Sequence, residues 1–166
     1  MQAPPPVPNL LSQLETMATN VSGLLGKDHY DWKWKLAADE WSLTEVVCHL
    51  RDVEREVHQE RFRAVLKDTD VFLAGVSADD WAISRNYQEQ DGQIALNDYL
   101  AARSVTLSLL EELDPEMWER QGTHAYLGRT TMHELLFLVT RHDELHWEQI
   151  KNILGGQSID DASLQS

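Results

Sequence analysis

Positive charge is scarce in this sequence: 14 lysines and arginines stand against 28 aspartates and glutamates, a formal charge of −14. Such a field repels a phosphate backbone or an anionic membrane surface unless a basic patch offsets it locally. None is evident, because Lys27, Lys33 and Lys35 are interleaved with Asp28, Asp31, Asp39 and Glu40. Nucleic-acid binding is therefore disfavoured. Cysteine is nearly missing too, and Cys48 alone excludes an intramolecular disulfide framework. With no basic-then-apolar leader, the expected address is the cytoplasm. No apolar run approaches the roughly 20 residues that span a bilayer, so no membrane span is expected.

What is present suits one core. The chain has 166 residues, 42% of them hydrophobic, enough for a single cooperative domain and too few for two. The opening APPPVP reads as an extended, flexible strap and the closing GGQSIDDASLQS as a frayed tail, leaving a core of about residues 8 to 154.

Four stretches carry a helical period, and none carries sustained period-2 alternation, which points to an all-α four-helix bundle. The first, roughly 8 to 25, presents Leu10, Leu14, Met17 and Val21 at spacings of three and four, with Gly26 as its stop. The second opens on the capping box of Ser42 and Glu45 and runs to about Leu66. The third spans roughly 92 to 112 and halts at Asp114-Pro115. The fourth opens on a second box, Thr131 and Glu134, and continues to about Leu154, where Gly155-Gly156 break it. About 25 residues separate the second and third helices, more than a tight antiparallel turn needs. That length implies a crossover and an up-down-down-up order.

The chemistry lies in the histidines. HDELH places His142 and His146 four apart, on one helix face and within reach of one ion. Leu135, Val139, Ile150 and Ile153 continue that face, so both rings point inward. His49 lies on the apolar side of the second helix between Val46 and Val53. At about 1.5 Å per residue, His49 sits roughly 10 Å below the start of its helix, and His146 and His142 roughly 12 and 18 Å from the end of theirs. Running antiparallel, the two helices bring all three to nearly one level, at one end of the bundle. A hydrogen-bonded cluster of core histidines is the alternative to a metal site. The HExxH protease motif fits less well, since Asp143 stands where its glutamate belongs and no third ligand follows.

The words DEWSLTEVVCHLRDVE and WERQGTHAYLGRTTMHELLFLVTRHDELHWEQI, in this order and spacing, resemble the DinB/YfiT superfamily of four-helix bundles, from about Asn9 to Leu154. The resemblance implies that His49, His142 and His146 bind a divalent metal, zinc or nickel, with water in the remaining positions. It also implies either S-transfer or isomerisation with a low-molecular-weight thiol as co-substrate, or metal-dependent hydrolysis, acting on a small electrophilic substrate; the alternative is a non-catalytic metal-binding or stress-response protein with a structural metal or ligand pocket. A small-molecule substrate is expected in the first two cases, and a homodimer is consistent with the resemblance.

Glu45 and Asp52 flank His49 and are the candidates for an acid-base or ligand-orienting carboxylate, although helix-face acids such as Asp52 and Glu56, balanced by Arg51, Arg55 and Arg61, are more often solvated. Cys48 points about 100° away from His49 and reads as a packed thiol. His29, His58 and His133 lack partners at helical spacing and read as surface residues. His124, before GRTTMHE, is assigned a structural hydrogen bond.

Overall fold

A computed structural model describes residues 3 to 164, with side chains up to residue 157. The helices are α1 (Val7–Ser22), α2 (Leu43–Val53), α3 (Gln59–Lys67), the single turn α4 (Trp81–Ser84), α5 (Gly92–Glu111) and α6 (Met132–Leu164). Both expected capping boxes form. The Ser42 backbone N–H donates to Glu45 Oε2 at 2.8 Å and the Glu45 N–H to Ser42 Oγ at 3.3 Å. Ahead of α6, the Thr131 N–H donates to Glu134 Oε2 at 2.7 Å and the Glu134 N–H to Thr131 Oγ1 at 3.1 Å. Each box satisfies backbone donors that the first helical turn leaves without partners.

Three features depart from the expected plan of four plain helices. First, a small sheet accompanies the helices, with β1 (Phe72–Leu73) parallel to β2 (Gln121–His124) and β2 antiparallel to β3 (Gly128–Thr131). Strands of two and four residues are too short for an alternating pattern to register in sequence. Second, α2 and α3 are joined without a break by a π-helical turn, Glu54–His58. Third, α6 passes through Gly155-Gly156 to Leu164 rather than stopping near Leu154. A Cβ at Gly156 would sit 2.6 Å from the Trp34 ring and 2.8 Å from Leu36, so its glycine is needed for close approach, not termination. Beside it, Gln157 exchanges hydrogen bonds with the Asp31 backbone at 3.0 and 2.8 Å, docking the α1–α2 connection on the helix.

Two apolar clusters form the core. One gathers Met17, Val21, Val46, Leu96, Tyr99 and Ile150. The other gathers Leu10, Leu14, Phe62, Leu110, Leu136 and Val139. Each long helix, with α2 and α3 taken as one, contributes to both, and between those contributions each of α2–α3, α5 and α6 carries buried polar residues: Glu54 and Gln59, Arg103 and Thr106, Asp143. The candidate site adjoins this polar level: His142 directly precedes Asp143, and His49 lies among the α2 residues of the first cluster, Val46 to Leu50. Residues 68–91, the crossover, run past it through β1, α4 and two short 3-10 turns. No helix among the described residues is long and apolar enough to cross a membrane.

Candidate metal centre

His49, on α2, and His142 and His146, on α6, meet as their spacing predicts. One nitrogen from each lies within 4.8 Å of the other two. His49 Nε2 stands 3.1 Å from His142 Nε2, and the ring centroids of the three are 4.4 to 5.3 Å apart. Trp41, just ahead of α2, lies against the group, 4.9 Å from the His49 ring and stacked on His146 at 6.1 Å.

Burial makes these rings neutral. It pushes His49 down to about 3, with the neighbouring His146 and His58 adding to the shift while the Ala78 backbone and Asp52 pull weakly the other way. His142 falls well below its ordinary value for the same leading reason, and His146 is lowered as well. Neutral imidazole is the form that ligates a metal. Its other nitrogen then carries a proton and needs an acceptor. His146 has one, because its Nδ1 lies 2.8 Å from Gln149 Oε1, which turns Nε2 toward the other rings as a lone pair. His49 Nδ1 and His142 Nδ1 are buried without a hydrogen-bond partner. Three rings held neutral, with nitrogens converging on a point at which no proton can satisfy all of them, form a donor set that fits a divalent cation.

Sequence reasoning missed His58. It is buried, its Nε2 has no partner, and its ring stands edge-on to His142 at 5.1 Å. Burial pushes it down to about 4. Nine residues of regular α-helix would place it about 180° from His49. The π turn inserts one extra residue into the winding and brings it to within roughly 80°. No pattern of spacing could have found it without knowledge of that turn. The other two histidines expected at the surface divide: His29 is exposed, whereas His133 is half-buried, with Nε2 2.7 Å from the Pro5 carbonyl.

The remaining candidates are committed elsewhere. Glu45 is held by its cap and by Lys35 at 2.9 Å. Asp52 is buried rather than solvated, accepting from Arg51 at 2.7 Å, Arg85 at 2.9 Å and the Tyr87 hydroxyl at 2.7 Å. Glu56 is half-exposed and shares Arg85. His124 accepts from the Tyr126 N–H at 3.2 Å, the structural role expected. The Cys48 thiol is buried, pushed up to about 11 by that burial, and donates to Gln90.

A cavity of about 640 Å³ opens beside the triad. Val53, Val57 and Val76 give it apolar walls, and the crossover lays Ser77, Ala78 and Asp79 along its rim. Asp79 is the one carboxylate lining it among the described residues, and nothing in its sequence context distinguished it.

Asp143 explains why HDELH is not a protease word. Its side chain turns from the cavity into the core, where with Glu54 it encloses Arg103. The guanidinium donates twice to each carboxylate, at 2.6 to 3.0 Å, and once to the Leu14 carbonyl at 3.3 Å, which uses all five of its donors.

A sequence model of the DinB superfamily matches residues 13–150. No functionally curated protein matches the chain. Among solved structures it is similar to YfiT from Bacillus subtilis, described as a probable metal-dependent hydrolase with an unusual four-helix bundle topology. The TM-score is 0.70 at 16% identity, over 87% of this chain and 82% of that one.

Proposed function

The chain belongs to the DinB superfamily, and from that premise we propose that His49, His142 and His146 hold a divalent metal ion, zinc or nickel, at the centre of an enzyme acting on a small electrophilic molecule. The observation that carries this reading is the convergence of three neutral imidazoles within 4.8 Å, one of them oriented by Gln149. When bound, such an ion lowers the pKa of a thiol or water and supplies a nucleophile near neutral pH. The protein's own groups do the rest. Gln149 fixes the tautomer of His146, Trp41 packs against His49 and His146 and shields them from water, and the valine walls keep the cavity apolar. Asp79 is the group placed to accept or return a proton, since Glu45 and Asp52 already serve a cap and an arginine pair.

The up-down-down-up order belongs to the same reading. It is supported by the long crossover and by the sequence in which α1, α2–α3, α5 and α6 visit the two core clusters. Two chemistries remain within it: S-transfer using a low-molecular-weight thiol, and hydrolysis, the activity ascribed to YfiT. A non-catalytic role with a structural metal is favoured by one observation only, that the triad adjoins the buried polar level between the two clusters. A cytoplasmic protein working on small molecules, without nucleic acid and able to pair as a homodimer, completes the proposal.

Metal analysis of the purified protein tests it directly. One equivalent of zinc or nickel per chain is expected, with affinity reduced at least about 100-fold in His49→Ala. Absence of a stoichiometric ion, before and after reconstitution, overturns the proposal. If chelation lowers Tm while no thiol and electrophile pair or ester is turned over, the structural-metal reading takes its place.

A further inference from the structure

Arginines in this acidic chain are almost all matched. Of the nine in the sequence, seven pair with a carboxylate. Among the described residues, Arg61 and Arg120 do not. Arg120 gives its Nε to the Val65 carbonyl at 2.9 Å and lines none of the histidine cavity. Arg61 does line it, on the same wall as His58 and Val57.

The Arg61 head is half-buried and donates Nη2 to the Ala74 carbonyl at 3.1 Å, which anchors it on the crossover and leaves its other donors free. Burial lowers its pKa, and no neighbouring carboxylate raises it again. Its charge is felt instead by His58 and His124, both of which it pushes further toward the neutral form. Withdrawing a guanidinium partly from water without a counter-charge costs stability in a chain that has 28 carboxylates to offer. An arrangement of this kind is what an anion-recognition site looks like before its anion arrives, because guanidinium donors match the two oxygens of a carboxylate.

We propose that Arg61 recognises an oxyanion, so that the small molecule taken by this cavity carries a carboxylate or similar group at one end. A short apolar body would lie against Val53, Val57 and Val76, and the reacting group would reach the histidines. Only that last placement rests on the metal reading above; the anion site depends on Arg61 and the cavity alone.

The test uses the metal-free protein, in which no ion can attract the probe. Hexanoate and hexanamide, alike in shape and different in charge, are titrated at neutral pH and followed by NMR. Hexanoate is expected to bind wild type about tenfold more tightly than hexanamide. Arg61→Gln should abolish that preference without weakening hexanamide, and Arg61→Lys should keep part of it. Equal binding of the two probes to wild type overturns the proposal without any variant, and so does a preference that survives Arg61→Gln. Should metal analysis find no ion while the hexanoate preference holds, the metal reading falls and the anion site stands.

Discussion

Two neighbouring residues on α6 enter opposite polar environments. His142 joins a group of histidines whose hydrogen-bonding capacity is unmet, with Nδ1 of His49, Nδ1 of His142 and Nε2 of His58 all buried and unpartnered. Asp143, next in the chain, joins Glu54 around Arg103, where every guanidinium donor is used. Both groups sit in or beside the same polar level of the core. A fully satisfied network needs nothing from outside and fixes how the helices register, whereas an unsatisfied one carries a desolvation cost that a ligand can relieve. The difference separates the part of this level that holds the fold from the part that is available for chemistry.

Breaking the satisfied side should have the largest effect. Arg103 is 1% exposed, so Arg103→Met strands two buried carboxylates and is expected to cost about 3–5 kcal/mol in urea unfolding. Replacing Arg103, Glu54 and Asp143 together by apolar residues of similar size should cost far less, because no uncompensated charge remains. If the single and triple variants lose stability equally, the network is not the closed unit described here.

The unsatisfied side should reveal itself through the titration of its histidines. His49 and His58 titrate near 3 and 4 in the folded chain against an ordinary value of 6.5. As pH falls through 6.5, protons bind the unfolded chain first, so native stability is full above that value and declines toward pH 4. Each such histidine adds up to about 1.4 kcal/mol per pH unit. Urea unfolding of metal-free protein between neutral pH and about pH 5 should show this slope, and His58→Phe should flatten it. A stability that stays level across the window would show that these rings are not held neutral.

Much of this was legible in advance, for identifiable reasons. The capping boxes at Ser42 and Thr131 and the stop at Asp114-Pro115 are local signals, and the helices begin and end beside them. The triad was legible because α2 is regular up to His49 and α6 is regular through His146, so spacing translated into direction. His58 lies beyond that reach, since a π turn changes the winding without marking the sequence. Arg103 was hidden differently. It sits in an apolar helix whose pattern it interrupts by one residue, and its partners are 49 and 40 positions away. Gly156 misled because a glycine kept for close packing against Trp34 is spelled like one that ends a helix.

The smallest expected effect tests the boundary between the two sides. Among the described residues, Gln149 is the side chain that offers a histidine of the triad a hydrogen-bond acceptor, at 2.8 Å from His146 Nδ1. Gln149→Leu keeps the size of the side chain and removes only that acceptor, leaving His146 as unpartnered as His49 and His142 already are. Because Gln149 is half-buried at the cavity wall, metal-free stability should change by no more than about 0.5 kcal/mol. Metal affinity should fall about tenfold, since the tautomer and ring orientation are no longer fixed before the ion arrives. Competition with a chelator of known affinity measures the second quantity and urea unfolding the first. A loss in stability without a loss in affinity would place Gln149, and His146 with it, on the structural side of the comparison.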